Sequence, residues 1–238
     1  MQANPNATHT AAETDDVVLQ RLLDERYSCR AFQQRQVPRA VIERLLVLAQ
    51  RTPSWCNTQP WHLHITSGAA TDRFRDAFYK FMQGNPAPQS DIPPPREYRG
   101  ISLARRRECG AALYESVGIA RGDKAAYARQ ALENFRLFGA PHVAIITTDE
   151  PLGAYGAVDV GAYVSTFLLA AQSLGLSSIP QAALAIYGGG FVRDYFKIAE
   201  DRILVCGISF GYGDHSHPIN GFRTTRARPD EAATFHDS

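Results

Sequence analysis

The chain has 238 residues, 45% of them hydrophobic and 21% charged, with 25 basic against 24 acidic side chains for a formal charge of +1. That balance excludes a disordered polyelectrolyte and removes the broad basic footprint of non-specific nucleic-acid or membrane-surface binding. The length admits one large domain or two small ones, and either can bury a sizeable apolar core.

The first 16 residues, Met1 to Asp16, are polar, lack the apolar centre of an export signal and read as a flexible leader. From Asp16 to Arg26 the pattern is helical, with Val18, Leu19, Leu22 and Leu23 on one face. A loop from Tyr27 to Val37 follows. Pro38 then opens a second helix carrying Val41, Ile42, Leu45, Leu46, Leu48 and Ala49, which stops before Thr52 and Pro53. Trp61 to Thr66 alternates as a half-buried strand with His62 and His64 on one face. A helix is predicted over Ala70 to Met82. The stretch Gly84 to Pro95 carries prolines at 86, 88, 93, 94 and 95 and reads as a loop or lid.

Helical patterns return over Ser102 to Val117 and Lys124 to Phe138. His142 to Thr148 is a β-branched apolar run and reads as a buried strand. Asp159 to Leu174 is apolar almost all round, which fits a core helix or an oligomer interface, with Gly175 as its C-terminal cap. Ser178 to Ala185 is predicted extended, Gly188 to Gly190 a flexible turn, Phe191 to Ile198 a short helix and Ile203 to Phe210 the last strand. Beyond Tyr212 the chain is polar and wraps a surface. No run of about 18 apolar residues is seen, so no membrane span is expected.

Cysteines at 29, 56, 109 and 206 have no CxxC spacing, which argues against zinc and dithiol chemistry and fits a reduced, cytoplasmic protein. Neither a GxGxxG nor a GxxxxGK[ST] signature occurs. Gly188-Gly189-Gly190 could cradle a phosphate, but three glycines more often make only a turn. Asp214, His215 and His217 could make a metal turn. The basic residues comprise 22 arginines and three lysines, a bias that fits anion binding or merely Arg-rich codon usage, so each arginine is judged by position.

Three stretches carry information. Arg26-Tyr27-Ser28-Cys29-Arg30-Ala31-Phe32 places two guanidinium forks four apart with a hydroxyl between them, a candidate clamp for a phosphate. Pro53-Ser54-Trp55-Cys56-Asn57-Thr58-Gln59-Pro60-Trp61 is a proline-stiffened loop whose amides could read a heterocycle edge, with Trp61 more simply a core aromatic. Phe222-Arg223-Thr224-Thr225-Arg226 adds late basic residues.

The order RxSxRxF, helix, PSxxNxQPW running into a strand, apolar helix ending Leu174-Gly175-Leu176, and late FRxxR resembles the flavin-dependent nitroreductase family over roughly Val17 to Glu231. Within that family the chain looks most like bacterial enzymes acting on nitroaromatics such as nitrobenzoates. The resemblance implies an α+β, three-layer fold with a small, mainly antiparallel central sheet flanked by helices. It also implies one FMN-binding domain over 17–238 and an intertwined homodimer with two FMN sites at the interface. The apolar helix suits that interface, and the polar C-terminal segment would reach the partner subunit.

Residue by residue, the resemblance places Arg26 and Ser28 at the FMN phosphate, with Arg226 assisted by Arg223, and Tyr27 between them among the cofactor-binding residues. It places Arg30 beside flavin N1 and O2 as the catalytic electrostatic residue. Pro53, Ser54 and Trp55 would contact the flavin of the other subunit, with Asn57 and Gln59 completing the loop. Pro180, Gln181 and Ala182 match the place where the chain approaches flavin N5. Some relatives have an acidic residue there, so contact here is by backbone or by Gln181.

The implied activity is NADH- or NADPH-dependent, ping-pong reduction of nitro to hydroxylamine, with protons needing no dedicated side chain. One of Arg96, Arg99, Arg105 and Arg106 could pair with a substrate carboxylate, although Arg105 to Arg107 also read as a solvated helix face. The rival readings are flavin reduction, aromatic dehalogenation, FMN fragmentation and a flavin binder without turnover.

Overall fold

In the computed structural model, residues 13–236 are described. In chain order they form α1 (Asp15–Glu25), α2 (Arg39–Ala49), β1 (His62–Ser67), α3 (Ala69–Gln83), α4 (Gly100–Ser116) and α5 (Lys124–Leu132). There follow β2 (His142–Asp149), α6 (Gly153–Ser173), β3 (Ser177–Gln181), α7 (Ala182–Phe196) and β4 (Arg202–Gly211). The strands lie in the order β1-β2-β4-β3, and each neighbouring pair is antiparallel.

The apolar run of β2 is central because both its faces are covered. Val143 and Ile145 pack with Phe74 and Phe78 of α3 and with Leu184 and Val192 of α7. Ala144 and Ile146, one residue out of phase, pack with Ile42 and Leu45 of α2 and with Val160, Tyr163 and Phe167 of α6. The period-two alternation of a strand thus feeds two cores, giving a helix–sheet–helix sandwich. Each large aliphatic or aromatic side chain so buried stabilises the fold by about 1.5–3 kcal/mol. Trp61 joins the second core, 8% exposed, stacked on Tyr163 and donating its indole N–H to Gln50 Oε1 at 3.0 Å.

Six expectations are corrected. The helix predicted to Phe138 ends at Leu132, and Leu137 and Phe138 take left-handed conformations that turn their side chains into the first core. The apolar helix begins at Gly153 rather than Asp159. With the turn before it, this helix spans Glu150–Ser173, 24 residues at mean hydropathy 1.3, long and apolar enough to cross a membrane where no such run was expected; here it packs on α2 and β3.

The extended stretch from Ser178 stops at Gln181, and Gly188 to Gly190 are no turn, for they lie within α7. A Cβ at Gly188 would overlap the Phe78 ring, and one at Gly189 or Gly190 would overlap Gln89. These glycines let a helix and a strap approach closely. Lastly, the leader expected over 1–16 gives up Asp15 and Asp16 to α1, and residues 1–12 lie outside the described residues.

The strap is the Pro-rich stretch. Its Asp91 carboxylate accepts the Leu204 N–H at 2.7 Å and pairs with Arg193 at 2.5 Å, which fastens the loop to β4 and α7.

Candidate functional site

The first helix ends because Arg26 is extended, and the chain beyond it is captured by the sheet. Ser28 bridges Ser178 in parallel, the Cys29 N–H donates to the Ser178 carbonyl at 3.1 Å, and Phe32 bridges Gly213. Side chains alternate in extended backbone, so burial of Cys29 leaves Ser28 and Arg30 on the opposite face. That is why the RxSxR spacing works.

The C-terminal segment closes the site through Asn220, a buried amide that sequence reasoning missed. Its Oδ1 accepts the Arg30 N–H at 2.8 Å, while Nδ2 donates to the carbonyls of Ala31 at 2.9 Å and Asp214 at 2.8 Å. The only sequence signal was a polar residue ending a His-Pro-Ile-Asn-Gly turn. The Arg223 guanidinium then lies 3.9 Å from the centre of the Tyr27 ring, whose hydroxyl meets His215 Nδ1 at 3.2 Å. Arg30 lies over Phe222 and donates to the Ser28 carbonyl at 3.2 Å.

Arg26, Tyr27, Ser28, Arg30, Arg223 and Arg226 thereby line one cavity of about 380 Å³. Cys109 of α4 and Thr224 also reach it. Burial first, and the charge of Arg226 second, hold the Arg26 guanidinium below its ordinary pKa. Burial does the same to Arg30, against the opposing effect of Cys109 and Cys29. The carboxylate in the lining, Asp24, receives the Gln20 amide at 2.9 Å. Like charges gathered with so little compensation fit an anion with several acceptor oxygens, such as a phosphate monoester.

Other sequence-predicted residues lie elsewhere. Pro53, Ser54, Trp55, Asn57 and Gln59 do not line this cavity. Both carboxylate oxygens of buried Asp159 face the Trp55 N–H, at 3.1 and 3.2 Å, and fix the loop to α6. Ser54 Oγ accepts the Gln59 N–H at 2.9 Å, and Cys56, Asn57 and Gln59 are left-handed, a concentration of strain held by that network. Trp55 is 61% exposed and packs on exposed Tyr155, so the loop presents an aromatic face to the outside of its own chain.

Gln181 is buried, donating to the Asn134 carbonyl at 2.9 Å and accepting from Ser209 Oγ at 2.5 Å. Both polar ends of its side chain are therefore engaged within the core. Pro180 precedes it on β3, and Ala182 opens α7, whose first-turn N–H groups have no carbonyl partner within the helix.

The C-terminal segment, expected to reach a partner subunit, lies on its own chain as far as it is described. Arg105 pairs with Glu231 at 3.0 Å, and Asn220 ties to Arg30. Arg99 pairs with Glu97, and Arg106 stacks on Tyr98, so three of the four arginines considered for a carboxylate are already engaged. Asp214 caps Ser216, His215 meets Tyr27 and His217 Nδ1 accepts the Ile219 N–H, three separate contacts rather than one ligand set. His62 is exposed and its ring packs edge-on against His64.

Residues 23–212 match the sequence profile of the nitroreductase family. Nitroreductase NfnB of Mycolicibacterium smegmatis is 37% identical, with 91% of this chain and 92% of that protein aligned. A 4-nitrobenzoate reductase of Nocardioides sp. is 33% identical over 98% of this chain and 94% of its own. The crystal structure of the FMN-dependent nitroreductase NfnB from Mycobacterium smegmatis in complex with NADPH superposes with a TM-score of 0.87 at 36% identity, covering 93% of this chain and 99% of that one. The three-layer fold, the arginine-lined cavity and matches spanning nine-tenths of the sequence agree, and the chain belongs to the nitroreductase family.

Proposed function

We propose that this nitroreductase binds FMN and uses NADPH or NADH to reduce a nitroaromatic compound to the hydroxylamine, in two alternating half-reactions at one site. The carrying observation is the convergence of Arg26, Ser28, Arg30, Arg223 and Arg226 on one cavity from segments nearly 200 positions apart in sequence. The family match and the names of the relatives support the cofactor, cosubstrate and acceptor classes.

Bound FMN would supply two-electron hydride chemistry between nicotinamide and acceptor, and two such cycles, each consuming one NAD(P)H with protons from solvent, are needed to bring a nitro group through nitroso, with loss of water, to hydroxylamine. The protein's part is binding and electrostatics. Arg26, Arg223 and Arg226 neutralise the phosphate, and Ser28 adds a hydroxyl donor. Tyr27 holds Arg223 in place by stacking. Arg30, fixed by Asn220, supplies positive charge where the reduced cofactor carries negative charge, and such preorganised charge is a large catalytic effect. The Ala182 end of α7, next to Pro180, offers backbone N–H donors to the ring edge.

The Pro53–Gln59 loop turns outward, which suits a role at the cofactor of a second copy. With Tyr155 and Val158 of α6 it forms an exposed apolar face that a homodimer would bury. We read residues 17–238 as one domain that completes its site only in that dimer. The four free cysteines suit a cytoplasmic setting.

The purified protein is expected to be a yellow dimer that oxidises NADPH when a nitroarene is added, with parallel double-reciprocal plots. A colourless protein that binds no added FMN rejects the proposal. Turnover of free flavin or a haloarene in place of the nitroarene would replace the acceptor class alone.

A further inference from the structure

Arg30 lines a second cavity, of about 360 Å³, together with Ile119, Arg129, Gln130, Glu133 and His217. Three of these residues come from or adjoin α5, and the next residue, Asn134, receives the Gln181 amide from the end of β3. The cavity is therefore lined by Arg30, one of the two places assigned above to the flavin ring, and its α5 wall is tied to the other through the residue that follows Glu133. Its volume lies at the small end for ligand sites, enough for one substituted aromatic ring and too little for a dinucleotide.

The charges in the lining do not cancel. Glu133 is already paired with Arg136 at 3.7 Å. Arg129 enters no ion pair or side-chain hydrogen bond among the described residues. His217 Nδ1 accepts the Ile219 N–H at 3.2 Å, so the ring proton of neutral His217 sits on Nε2 and adds a donor. Donors dominate, and Arg129 is the cation without a partner.

We propose that Arg129 selects acceptors whose aromatic ring carries a carboxylate, by pairing with that carboxylate while the reducible group faces the cofactor. The inference rests on the function proposed above and moves the carboxylate partner from Arg96, Arg99, Arg105 or Arg106 to α5. A guanidinium fork matches a carboxylate with two parallel hydrogen bonds, and because Arg129 is exposed the preference it confers should weaken as salt rises.

The test uses the FMN-loaded enzyme with NADPH and two acceptors, 4-nitrobenzoate and nitrobenzene. In Arg129→Ala the ratio of kcat/KM for 4-nitrobenzoate over nitrobenzene is expected to fall about tenfold, the factor carried by ~1.4 kcal/mol. Arg129→Lys should recover part of the loss. Benzoate, which cannot be reduced, should inhibit the unmodified enzyme competitively against the acceptor and inhibit the alanine variant about tenfold less, reading the pairing without turnover. An unchanged acceptor ratio, or a rise confined to the KM for NADPH, overturns the assignment while leaving the nitroreductase reading intact. Failure of the unmodified enzyme to turn over either acceptor overturns both. Should the alanine variant lose FMN, Arg129→Gln is judged by the same ratio.

Discussion

The arginine-lined cavity and the seam where α7 packs on α3 both contain residues that look, in sequence, like phosphate binders. The first gathers guanidinium groups at the surface and depends on hydrogen bonds to hold them together. The second buries Gly188 against Phe78 and carries no charge at the contact. One region gathers charge at little gain in fold stability, and the other stabilises the fold by packing alone. Glycine runs and arginine clusters are thus separated by what surrounds them: a missing Cβ serves close packing where an apolar ring lies opposite, whereas gathered cations invite an anion where a single carboxylate, Asp24, offsets four arginines.

That contrast predicts a double dissociation. Arg26→Ala should weaken FMN binding by roughly ten- to a hundredfold, from the loss of one charge-assisted contact, with little change in Tm. Arg105→Ala should retain flavin, because Arg105 is paired with Glu231; equal flavin retention by the two variants would remove the phosphate assignment. Gly188→Ala should do the reverse, costing about 1–3 kcal/mol of stability through overpacking against Phe78. Protein that folds should bind FMN normally, and a normal denaturation midpoint would show that the seam is loose.

Asn220→Ala tests the joint between fold and site. It leaves the Arg30 N–H and two carbonyls without their partner, so stability should fall by about 1–2 kcal/mol and flavin affinity should fall with it. A change in only one of these would separate Asn220 from the joint.

The smallest effect concerns the far end of the cavity segment, where the Val37 N–H donates to His142 Nε2 at 3.0 Å. Burial holds buried His142 below its ordinary value of 6.5. The unfolded chain therefore takes up this proton first on acidification. The contribution to stability is full above about pH 6.5 and declines as pH falls toward the lowered folded value. Tm profiles of the unmodified protein and His142→Gln should converge below that pH; parallel profiles would exclude the histidine as the cause.

Much of this was legible in the chain itself. The helices and strands before Gly84 and the two central strands follow from hydrophobic period, because α2, β1, β2 and β4 have one repeating environment along their length. The arginine pairs were legible because spacing within an extended segment is local. Lys124–Phe138 misled because the chain leaves the α-conformation to bury Leu137 and Phe138, a gain that belongs to the core and not to the segment. Gln181 looked like a contact for a ligand, yet only the fold brings Asn134 and Ser209 to it.

The sequence by itself pointed to the family through the order of its motifs, implied the three-layer architecture through that resemblance, and singled out the arginines that meet in one cavity, because motif spacing is a property of consecutive residues. The tertiary structure alone decided that Gly188 to Gly190 are packing residues, that Asn220 joins the two halves of the cavity and that Arg129 has no partner among the described residues. Those properties depend on what another segment places opposite a side chain, and close packing and the matching of buried donors with acceptors are settled only when distant segments meet.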